Sequence, residues 1–364
     1  MGFRCGIIGL PNVGKSTIFN ALTAAGAEVA NYPFCTIDPN VGIVRVSDRR
    51  LEKIAEMIRP PKVTYTTMEF LDIAGLVRGA SRGEGLGNKF LGHIREVDAL
   101  VHIVRCFDNP DVVHMDGSVD PARDIGIVNT ELLLADLETV ARRFQKVDKL
   151  VRTGDKNALG ELQLCRRLQE ALGKEIPARN ITLDEESGRI MKEFHLLTAK
   201  KVLYVANVSE EVLRRGNGYI SRVRDIAEGE GSGVITICGD LEAEMMDLPE
   251  EDRKDFLEDL GLEESGLEKL IRAGYSLLGL ITFYTTVGPE LRAWTIPSGT
   301  KAPEAAGKIH SDMERGFIRA EVVHYDDFIG AGSMAAAREK GLVHSEGREY
   351  SVQDGDIVLF RFNV

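Results

Sequence analysis

Long apolar runs, paired cysteines and low-complexity tracts are all missing from this 364-residue sequence. No stretch of about 18 or more apolar residues occurs, so we expect no membrane-spanning helix. The five cysteines form no Cys-x-x-Cys pair, and metal-ligand spacing is therefore absent. Their odd number and low density indicate free thiols in a reducing, cytoplasmic environment. The absence of polar tracts favours an ordered chain of roughly two or three domains.

An excess of positive charge is also missing, because the net charge is −12. Binding to nucleic-acid phosphates depends on Lys and Arg, so an acidic chain is not an obvious nucleic-acid binder. The charge is uneven, however. Residues 130–200 hold 13 Lys/Arg and 12 Asp/Glu, which leaves a net charge of −13 for the rest of the chain. Any contact with a polyanion should therefore use this less acidic segment or a local patch.

A glycine-rich loop near the N-terminus has the pattern Gly9-x4-Gly14-Lys15-Ser16. It follows a short apolar run, residues 3–8, and precedes a predicted helix, residues 17–25, which is the context of a phosphate loop. Its glycines allow backbone N–H groups to surround a β-phosphate at a helix N-terminus. Lys15 would reach the β- and γ-phosphates, and the Ser16 hydroxyl would ligate Mg²⁺. The loop predicts a purine-nucleotide triphosphatase.

Two further segments fit the same chemistry. Residues 70–75, Phe-Leu-Asp-Ile-Ala-Gly, predict a strand that ends in Asp72, which can hold Mg²⁺ through water. Gly75 allows its N–H to approach the γ-phosphate, so we assign it a catalytic role with Lys15. Thr36, in the intervening loop, can complete the Mg²⁺ coordination when the γ-phosphate is present. Residues 78–87 are rich in glycine, which predicts a mobile switch and is also compatible with a flexible surface loop.

The group that orients the attacking water is not evident. In many GTPases a Gln follows the Asp-x-x-Gly motif, but here the residue is Leu76, which has no polar group. Either the intrinsic rate is low or another polar side chain substitutes. His114, in the predicted loop 109–114, is the catalytic candidate. The alternative is an exposed loop histidine with no role in catalysis.

The predicted base-reading segment follows the strand at residues 202–206. GTPases have Asn-Lys-x-Asp there, whereas this chain has Asn207-Val208-Ser209-Glu210. The Lys is absent, and the Glu210 carboxylate is one methylene further out, so it does not suit the guanine edge. The Asn207 amide can still pair with the exocyclic amine and a ring nitrogen of adenine.

Domain organisation follows from the apolar patterns. An α/β pattern occupies residues 1–127 and resumes at 201–278, with a helical insertion at 128–200 and a β-rich α+β domain at 279–364. A third helix of the insertion is predicted to begin at Thr182, in a Thr-Leu-Asp-Glu capping box. The first insertion helix has apolar residues at heptad spacing, which predicts a coiled-coil seam: Leu133, Leu137, Val140, Phe144, Val147 and Val151.

These motifs together resemble the YchF group of Obg-like ATPases over essentially the whole chain. The resemblance implies a Ras-type P-loop G domain, a coiled-coil insertion and a C-terminal TGS domain of β-grasp fold. It also implies a preference for ATP over GTP and binding to the ribosome or its large subunit. Carried over to this sequence, it implies that Ser16 and Thr36 hold Mg²⁺. The residues implied for phosphate and base binding are Asn12, Val13, Gly14, Lys15, Ser16, Thr17, Asn207, Val208, Ser209 and Glu210.

The leading hypothesis is a slow, switch-like ATPase that engages the ribosome. The rival is a regulatory module whose grip on a protein partner is tuned by nucleotide, with incidental hydrolysis; a GTPase is the third possibility. A possible RNA contact is the basic cluster of the helical insertion, which could equally be a solvated helix face: Arg142, Arg143, Lys146, Lys149, Lys156, Arg166 and Arg167.

Overall fold

A computed structural model describes residues 3–25, 41–73, 79, 86–114, 117–155 and 157–363. The chain divides into two compact units, one of Met1–Val44 and Glu69–Gly274, the other of Arg45–Met68 and Tyr275–Val364. In chain order the elements are β1 (Arg4–Ile8), α1 (Lys15–Ala25), β2 (Val41–Arg45), α2 (Arg49–Ile58), β3 (Lys62–Thr64), β4 (Thr67–Asp72), α3 (Leu86–Glu96), β5 (Ala99–Arg105), α4 (Pro121–Arg152), α5 (Ala158–Gly173), α6 (Glu185–Lys192), β6 (Lys201–Asn207), α7 (Glu210–Arg215), α8 (Gly218–Glu230), β7 (Gly233–Ile237), α9 (Gly239–Met246), α10 (Glu250–Asp259), α11 (Gly266–Leu277), β8 (Leu280–Val287), β9 (Glu290–Pro297), α12 (Ala302–Ile309), α13 (Ser311–Arg315), β10 (Phe317–Val323), α14 (Tyr325–Ala331), α15 (Met334–Glu339), β11 (His344–Glu346) and β12 (Ile357–Phe362).

The first unit is built on a six-stranded sheet in the order β2-β4-β1-β5-β6-β7. β1 pairs in parallel with β4 and β5, and β6 pairs in parallel with β5 and β7. Every residue of β5 is buried, as expected for a parallel strand that is covered on both faces. The strands predicted before the phosphate loop, up to Asp72 and before Asn207 are present as β1, β4 and β6. Because the carboxyl ends of parallel strands lie at one edge, the loops after β1, β4, β5 and β6 converge there.

The helical insertion of the first unit contains a hairpin of two helices. α4 is 32 residues long and begins after Asp120, whose carboxylate accepts hydrogen bonds from the backbone amides of Ala122 and Arg123. It therefore begins seven residues before the predicted start of the insertion at residue 128. Val140 of α4 packs with Leu164 and Leu168 of α5 in one buried cluster. The apolar spacing thus predicted the contact surface of α4 correctly, but not the first turns of the helix, which include the buried residues Ile125 and Val128.

Two carboxylates, the buried one of Asp136 and the half-buried one of Glu230, connect the hairpin to the α/β core. Asp136 of α4 is 1% exposed and accepts from the backbone amides of Leu197 and Thr198, both at 2.8 Å. Burial raises the pKa of Asp136, although these hydrogen bonds oppose the shift. Glu230, at the end of α8, accepts from three side chains on other segments, those of Asn129, Arg179 and Tyr204.

The predicted start of the third insertion helix is wrong. α6 begins at Glu185, and its N-cap is Asp184, whose carboxylate accepts from the amide of Ser187. Thr182 instead has its carbonyl bonded to Arg167 of α5. Thr182 and Asp184 are both residue types that favour a helix N-cap. Thr182 lies in the loop before α6, where its carbonyl contacts Arg167, and the helix begins after Asp184 instead.

Residues 45–68 do not belong to the predicted nucleotide-binding domain but to the second unit. These residues pack against and pair with segments that are distant in the sequence. β3 pairs in parallel with β9, and Leu51 and Ile54 of α2 are fully buried in the same cluster as Tyr284 and Phe328. Arg50 also donates two hydrogen bonds to the Asp354 carboxylate, at 2.8 and 3.2 Å. Sequence position alone gave no sign of these partners.

The second unit contains a six-stranded sheet in the order β11-β10-β12-β8-β9-β3. One face packs against α12 through Ala302, Ala305 and Ala306. The other face packs against α2 and the short helices α14 and α15, which contribute Phe328 and Ala337. The prediction of a β-rich α+β domain did not identify the short helices α14 and α15. These helices have seven and six residues, which is too short for a helical apolar period to be recognised.

The composition led to expectations about membrane-spanning helices and about the cysteines. In the part of the chain that the structure describes, every helix is too short or too polar to cross a lipid bilayer. Four of the five cysteines lie in that part, and all four are buried and free. They are Cys5, Cys106, Cys165 and Cys238.

The assignment of α2 to the second unit can be tested with Ile54→Ala. Ile54 is fully buried, so we expect the free energy of unfolding of the second unit to fall by about 2–5 kcal/mol. Urea unfolding followed by fluorescence of Trp294, the single tryptophan and a residue of β9, measures this unit. Lys53→Ala is the control, since the Lys53 side chain is 60% exposed. If Ile54→Ala and Lys53→Ala lowered the free energy of unfolding by the same small amount, the assignment of α2 to this core would be wrong.

Candidate nucleotide-binding site

The phosphate loop joins β1 to α1 and has a backbone that requires glycine at two positions. Gly9 has φ 151° and Gly14 has φ 92°. A Cβ atom at Gly9 would lie 2.5 Å from the Ile103 carbonyl oxygen, and one at Gly14 would lie 2.2 Å from Nδ2 of Asn207. Neither space admits a side chain. The two glycines thus let the loop curve closely against β5 and β6, and α1 begins immediately afterwards at Lys15.

Lys15 is a nearly buried cation, with 8% of its surface exposed. Its Nζ donates to the carbonyl of Leu10 across the loop at 2.6 Å. Burial lowers the pKa of Lys15 to about 8, and the negative charge of Asp72 partly opposes this shift. A phosphate oxygen bound at the loop would be a stronger partner for the ammonium group than a carbonyl, and it would favour the charged form.

Ser16 and Asp72 are the described residues that could hold Mg²⁺. Ser16 lies in the first turn of α1 with its side chain exposed, and Asp72 is the last residue of β4. Burial raises the pKa of the Asp72 carboxyl group, while Lys15 lowers it. The Oδ1 atom of Asp72 is buried and has no hydrogen-bond partner among the described residues. A buried carboxylate oxygen without a donor fits a water-coordinated cation. Thr36, Gly75 and Leu76 lie outside the described residues.

The Asn207 side chain is bonded to backbone groups through both ends of its amide. Its Nδ2 donates to the Val13 carbonyl at 2.9 Å, and its Oδ1 accepts from the Gly239 amide at 3.0 Å. The residue is only 4% exposed. Each end of the amide keeps one further position, a second N–H and a second lone pair, so the contact with adenine stays a prediction. Asn207 connects the phosphate loop to the first residue of α9.

The three residues after Asn207 lead into α7. Val208 is buried, and its amide donates to the Ile237 carbonyl. Ser209 is the N-cap residue of α7 by its extended backbone, without a side-chain cap hydrogen bond. Glu210 is half-exposed, and its carboxylate accepts from Arg214 one helical turn later at 2.8 Å.

Arg105 is a site residue that sequence reasoning missed. It ends β5 with 2% of its surface exposed, and all three guanidinium nitrogens donate to backbone carbonyls of the following loop. The acceptors are those of Phe107, Asn109 and Val112, at 3.0–3.1 Å. A buried cation is stable when its donors are satisfied in this way. The signal in the sequence was an arginine inside an apolar strand.

The loop that Arg105 organises reaches the phosphate loop and carries His114. The Val113 carbonyl accepts from Nδ2 of Asn12 at 3.2 Å. His114 follows directly, and its side chain is 8% exposed. Its Nε2 lies 2.9 Å from Oδ2 of Asp124, in the first turn of α4. The alternative of an exposed loop histidine is therefore wrong. The site includes Asp124, which the sequence reading did not single out.

A phosphate loop between β1 and α1, and an aspartate at the end of β4 beside its lysine, define a P-loop nucleotide hydrolase of Ras-like fold. The family model described as "50S ribosome-binding GTPase" matches residues 4–135. The C-terminal family model of YchF-type GTPases, described as a protein of unknown function, matches residues 280–363.

Curated relatives and a solved structure cover nearly the whole chain. The "Ribosome-binding ATPase YchF" of Bacillus subtilis (strain 168) is 55% identical over 366 residues, which is 100% of both chains. That of Escherichia coli O157:H7 is 50% identical over 364 residues, again 100% of both. The Schizosaccharomyces pombe YchF GTPase structure has a TM-score of 0.90 at 36% identity, covering 99% of this chain and 98% of that one. The chain belongs to the YchF family, as its motifs suggested.

The lowered pKa of Lys15 predicts proton uptake when a nucleoside triphosphate binds. With a pKa of about 8, Lys15 is mostly neutral at pH 9, and bound phosphates raise that pKa, so binding at pH 9 takes up protons. At pH 7 the group is already charged and uptake through it is small. Calorimetry in two buffers of different ionisation enthalpy, with MgCl₂ present, measures the uptake.

Two variants serve as controls for this prediction. Lys15→Arg keeps a charged side chain at both pH values, so any binding it retains should occur without the uptake at pH 9. Lys15→Ala should remain folded and lose nucleotide binding or turnover, because the ammonium faces the loop rather than the apolar core. Equal uptake at pH 9 by the wild type and Lys15→Arg would show that Lys15 is not the titrating group.

Proposed function

We propose that the protein is a Mg²⁺-dependent ATPase that prefers ATP to GTP and acts in the cytoplasm as a ribosome-associated switch. The observation that carries the proposal is the arrangement after β6, where Glu210 points to Arg214 and no lysine follows Asn207. The names of the relatives, ribosome-binding ATPases, support it. In this proposal α4 and α5 form a coiled coil, and the second unit contains a TGS-like domain of β-grasp fold.

The phosphate end of the site uses the loop already described. Backbone N–H groups of Asn12 to Thr17 would surround the phosphates, with Lys15 at the β- and γ-phosphates. Ser16 and Asp72 would hold Mg²⁺, which neutralises charge on the phosphates, and the family resemblance adds Thr36. Gly75 would present its N–H to the γ-phosphate. These residues bind and orient the triphosphate.

The base end disfavours guanine. Guanine recognition needs a carboxylate that accepts from two N–H groups of the base. The carboxylate at this position, that of Glu210, is committed to Arg214 on the exposed side of α7. Asn207 is committed to Val13 and Gly239 and cannot replace it. Two guanine donors would be left without a partner in a partly dry site, whereas adenine has no N–H at that ring position.

The water-orienting group in this proposal is His114. Leu76 cannot hold a water, and the loop that carries His114 contacts the phosphate loop at Asn12. A histidine held by a carboxylate is a common arrangement for proton transfer and for water positioning. Slow basal turnover that rises when a ribosome binds would follow from this arrangement.

The rival function is a nucleotide-regulated protein-binding module in which hydrolysis is incidental. Turnover of ATP measured with and without ribosomes separates the two. Strong stimulation supports the switch-like ATPase. Turnover that ribosomes leave unchanged, together with nucleotide-dependent binding to another protein, supports the module. A GTPase is recognised instead by its nucleotide preference.

Calorimetry with Mg²⁺ should give a lower Kd for ATP than for GTP. Leaving guanine donors unpaired costs about 1–3 kcal/mol, which corresponds to roughly 5- to 150-fold in Kd. Glu210→Asp is the informative control, and it should not restore full GTP preference, since the lysine is also absent. Equal or tighter binding of GTP by the wild type would contradict the proposal.

The basic cluster of the insertion is the proposed ribosomal RNA contact. A cleft on the hairpin is lined by Thr139, Arg142, Arg143, Lys146, Glu193 and Phe194. Arg143 is already bonded to Glu161 and lies over the Phe194 ring, so its reversal would also disturb the hairpin. Arg142 is 67% exposed and has only a long contact of 3.8 Å to Glu138. Arg142 and Lys146 are therefore the residues best suited to phosphate contacts.

Reversing Arg142 and Lys146 to Glu should weaken ribosome binding and reduce its salt slope by about one to two. Sedimentation with ribosomes at several salt concentrations measures both. The matched control is Arg189→Glu with Lys192→Glu, two exposed basic residues of α6 in the same insertion. Wild-type binding and salt slope for the Arg142 and Lys146 variant would exclude the hairpin from the interface.

A further inference from the structure

The imidazole of His114 is flanked on both sides by residues of the first turn of α4. Nε2 lies 2.9 Å from Oδ2 of Asp124, and Nδ1 lies 3.5 Å from Nη2 of Arg123. The side chains of His114 and Asp124 are 8% and 3% exposed. The ring is thus held away from solvent by an acceptor at one nitrogen and a donor at the other.

This arrangement selects one tautomer of His114. The Asp124 carboxylate can only accept, so Nε2 carries the proton and donates it to Oδ2. Nδ1 then has the lone pair, and that nitrogen is the one able to accept a hydrogen bond from a water. It is also the nitrogen that Arg123 faces.

Arg123 is fixed in this position by other contacts. Its guanidinium donates to the second oxygen of Asp124 at 3.1 Å and to the Ser118 carbonyl at 2.5 Å. Its contact with Nδ1, at 3.5 Å, is much longer than either. The Asp124 carboxylate therefore has a strong partner on each oxygen, whereas the contact between Arg123 and Nδ1 is weak and can be exchanged at small cost.

The position of the loop connects this group to the nucleotide site. Val113, the residue before His114, accepts from Asn12 of the phosphate loop. Asp120 caps the same turn of α4 that carries Arg123 and Asp124. The first turn of α4 therefore supplies both side chains that contact the His114 ring, and the preceding residue contacts the phosphate loop.

We propose that Asp124 is a positioning residue that sets the tautomer of His114, and that Arg123 covers Nδ1 until a water takes its place at that nitrogen. The inference rests on the proposed role of His114 in orienting water. Asp124 stays bonded to Nε2 throughout, while displacement of the weak Arg123 contact frees Nδ1 for the water that attacks the γ-phosphate. Basal turnover is then limited by Arg123, and stimulated turnover depends on Asp124.

Asp124→Asn tests the positioning role. Arg123 requires an acceptor, so the Asn oxygen turns to Arg123 and its NH₂ group turns to His114, which moves the ring proton to Nδ1. We expect ribosome-stimulated kcat to fall about tenfold or more, with KM for ATP changed less than about threefold.

Long-range ¹H–¹⁵N spectra of histidine-labelled protein should show the Nε2–H tautomer in the wild type and the Nδ1–H tautomer in Asp124→Asn. The His114 signals are assigned by their loss in His114→Ala. Asp124→Glu, which keeps a carboxylate acceptor, should retain the wild-type tautomer and recover part of the turnover.

Arg123→Met tests the covering role, because methionine keeps much of the length and has no N–H donor. Unstimulated kcat should rise about threefold or more, and the rise should disappear in Arg123→Met with His114→Ala. The control is a similar ion pair at the far end of α4, Asp148 and Arg152, at 2.8 Å. Asp148→Asn and Arg152→Met should leave the unstimulated rate and the His114 tautomer unchanged.

The variants test the proposed role of His114 separately from the roles of Asp124 and Arg123. Unchanged stimulated turnover in His114→Ala would overturn the proposed role of His114 and this inference with it. Loss of turnover in His114→Ala, with a wild-type tautomer and wild-type kcat in Asp124→Asn, would overturn the positioning role of Asp124 alone. An unstimulated rate in Arg123→Met that stays at the wild-type level, or a rise that persists without His114, would overturn the covering role of Arg123.

Discussion

The buried residue Asn207 joins three loops at the carboxyl edge of the first sheet, and the site depends on it. Its side chain bonds to the phosphate loop at Val13 and to Gly239 after β7, and its carbonyl accepts from the Cys106 amide after β5. Because Asn207 is buried, water cannot replace a hydrogen-bond partner that is lost. The three hydrogen bonds therefore form together, and the loss of any of them is costly. The spacing between the phosphate loop and the loop that carries His114 is consequently fixed by one amino acid in β6.

A second constraint acts through α4. Its first turn contacts His114, and further along Glu131 accepts from the Gly79 amide at 2.7 Å. Its far end belongs to the hairpin that is proposed to meet the ribosome. A continuous helix of 32 residues is about 48 Å long and transmits displacement with little bending. One helix thus carries both the residues that contact His114 and the proposed RNA-binding residues Arg142 and Lys146.

Sequence reasoning succeeded where the chemistry is local. The phosphate loop, its flanking strand and helix, and the apolar stripe of α4 each depend on residues within about four turns of one another, and periodicity or a short motif records them. It failed where a partner lies far away in sequence. The bonds of Asn207 to Val13 and Gly239 were not predicted, because they leave no local pattern in the sequence. The first turn of α4 was passed over for the same reason, since Asp124 is meaningful only beside His114.

The division of the chain into units shows the same limit. α2 has a clear amphipathic pattern, yet nothing in residues 45–68 says which core they enter. That information lies in β8, β9 and α14, more than 200 residues later, which supply the apolar surface that Leu51 and Ile54 contact.

The discontinuous second unit has a consequence for synthesis on the ribosome. β3 pairs with β9 across 228 residues, as in the pair Lys62 and Glu290. At a translation rate of roughly 5–20 residues per second, β3 waits roughly 11–46 s for its partner strand. During that interval Leu51 and Ile54 have no core to enter, and the rest of the chain can begin to fold around an unfinished segment. The second unit is thus the last to fold, and until then the apolar face of α2 is exposed on the nascent chain.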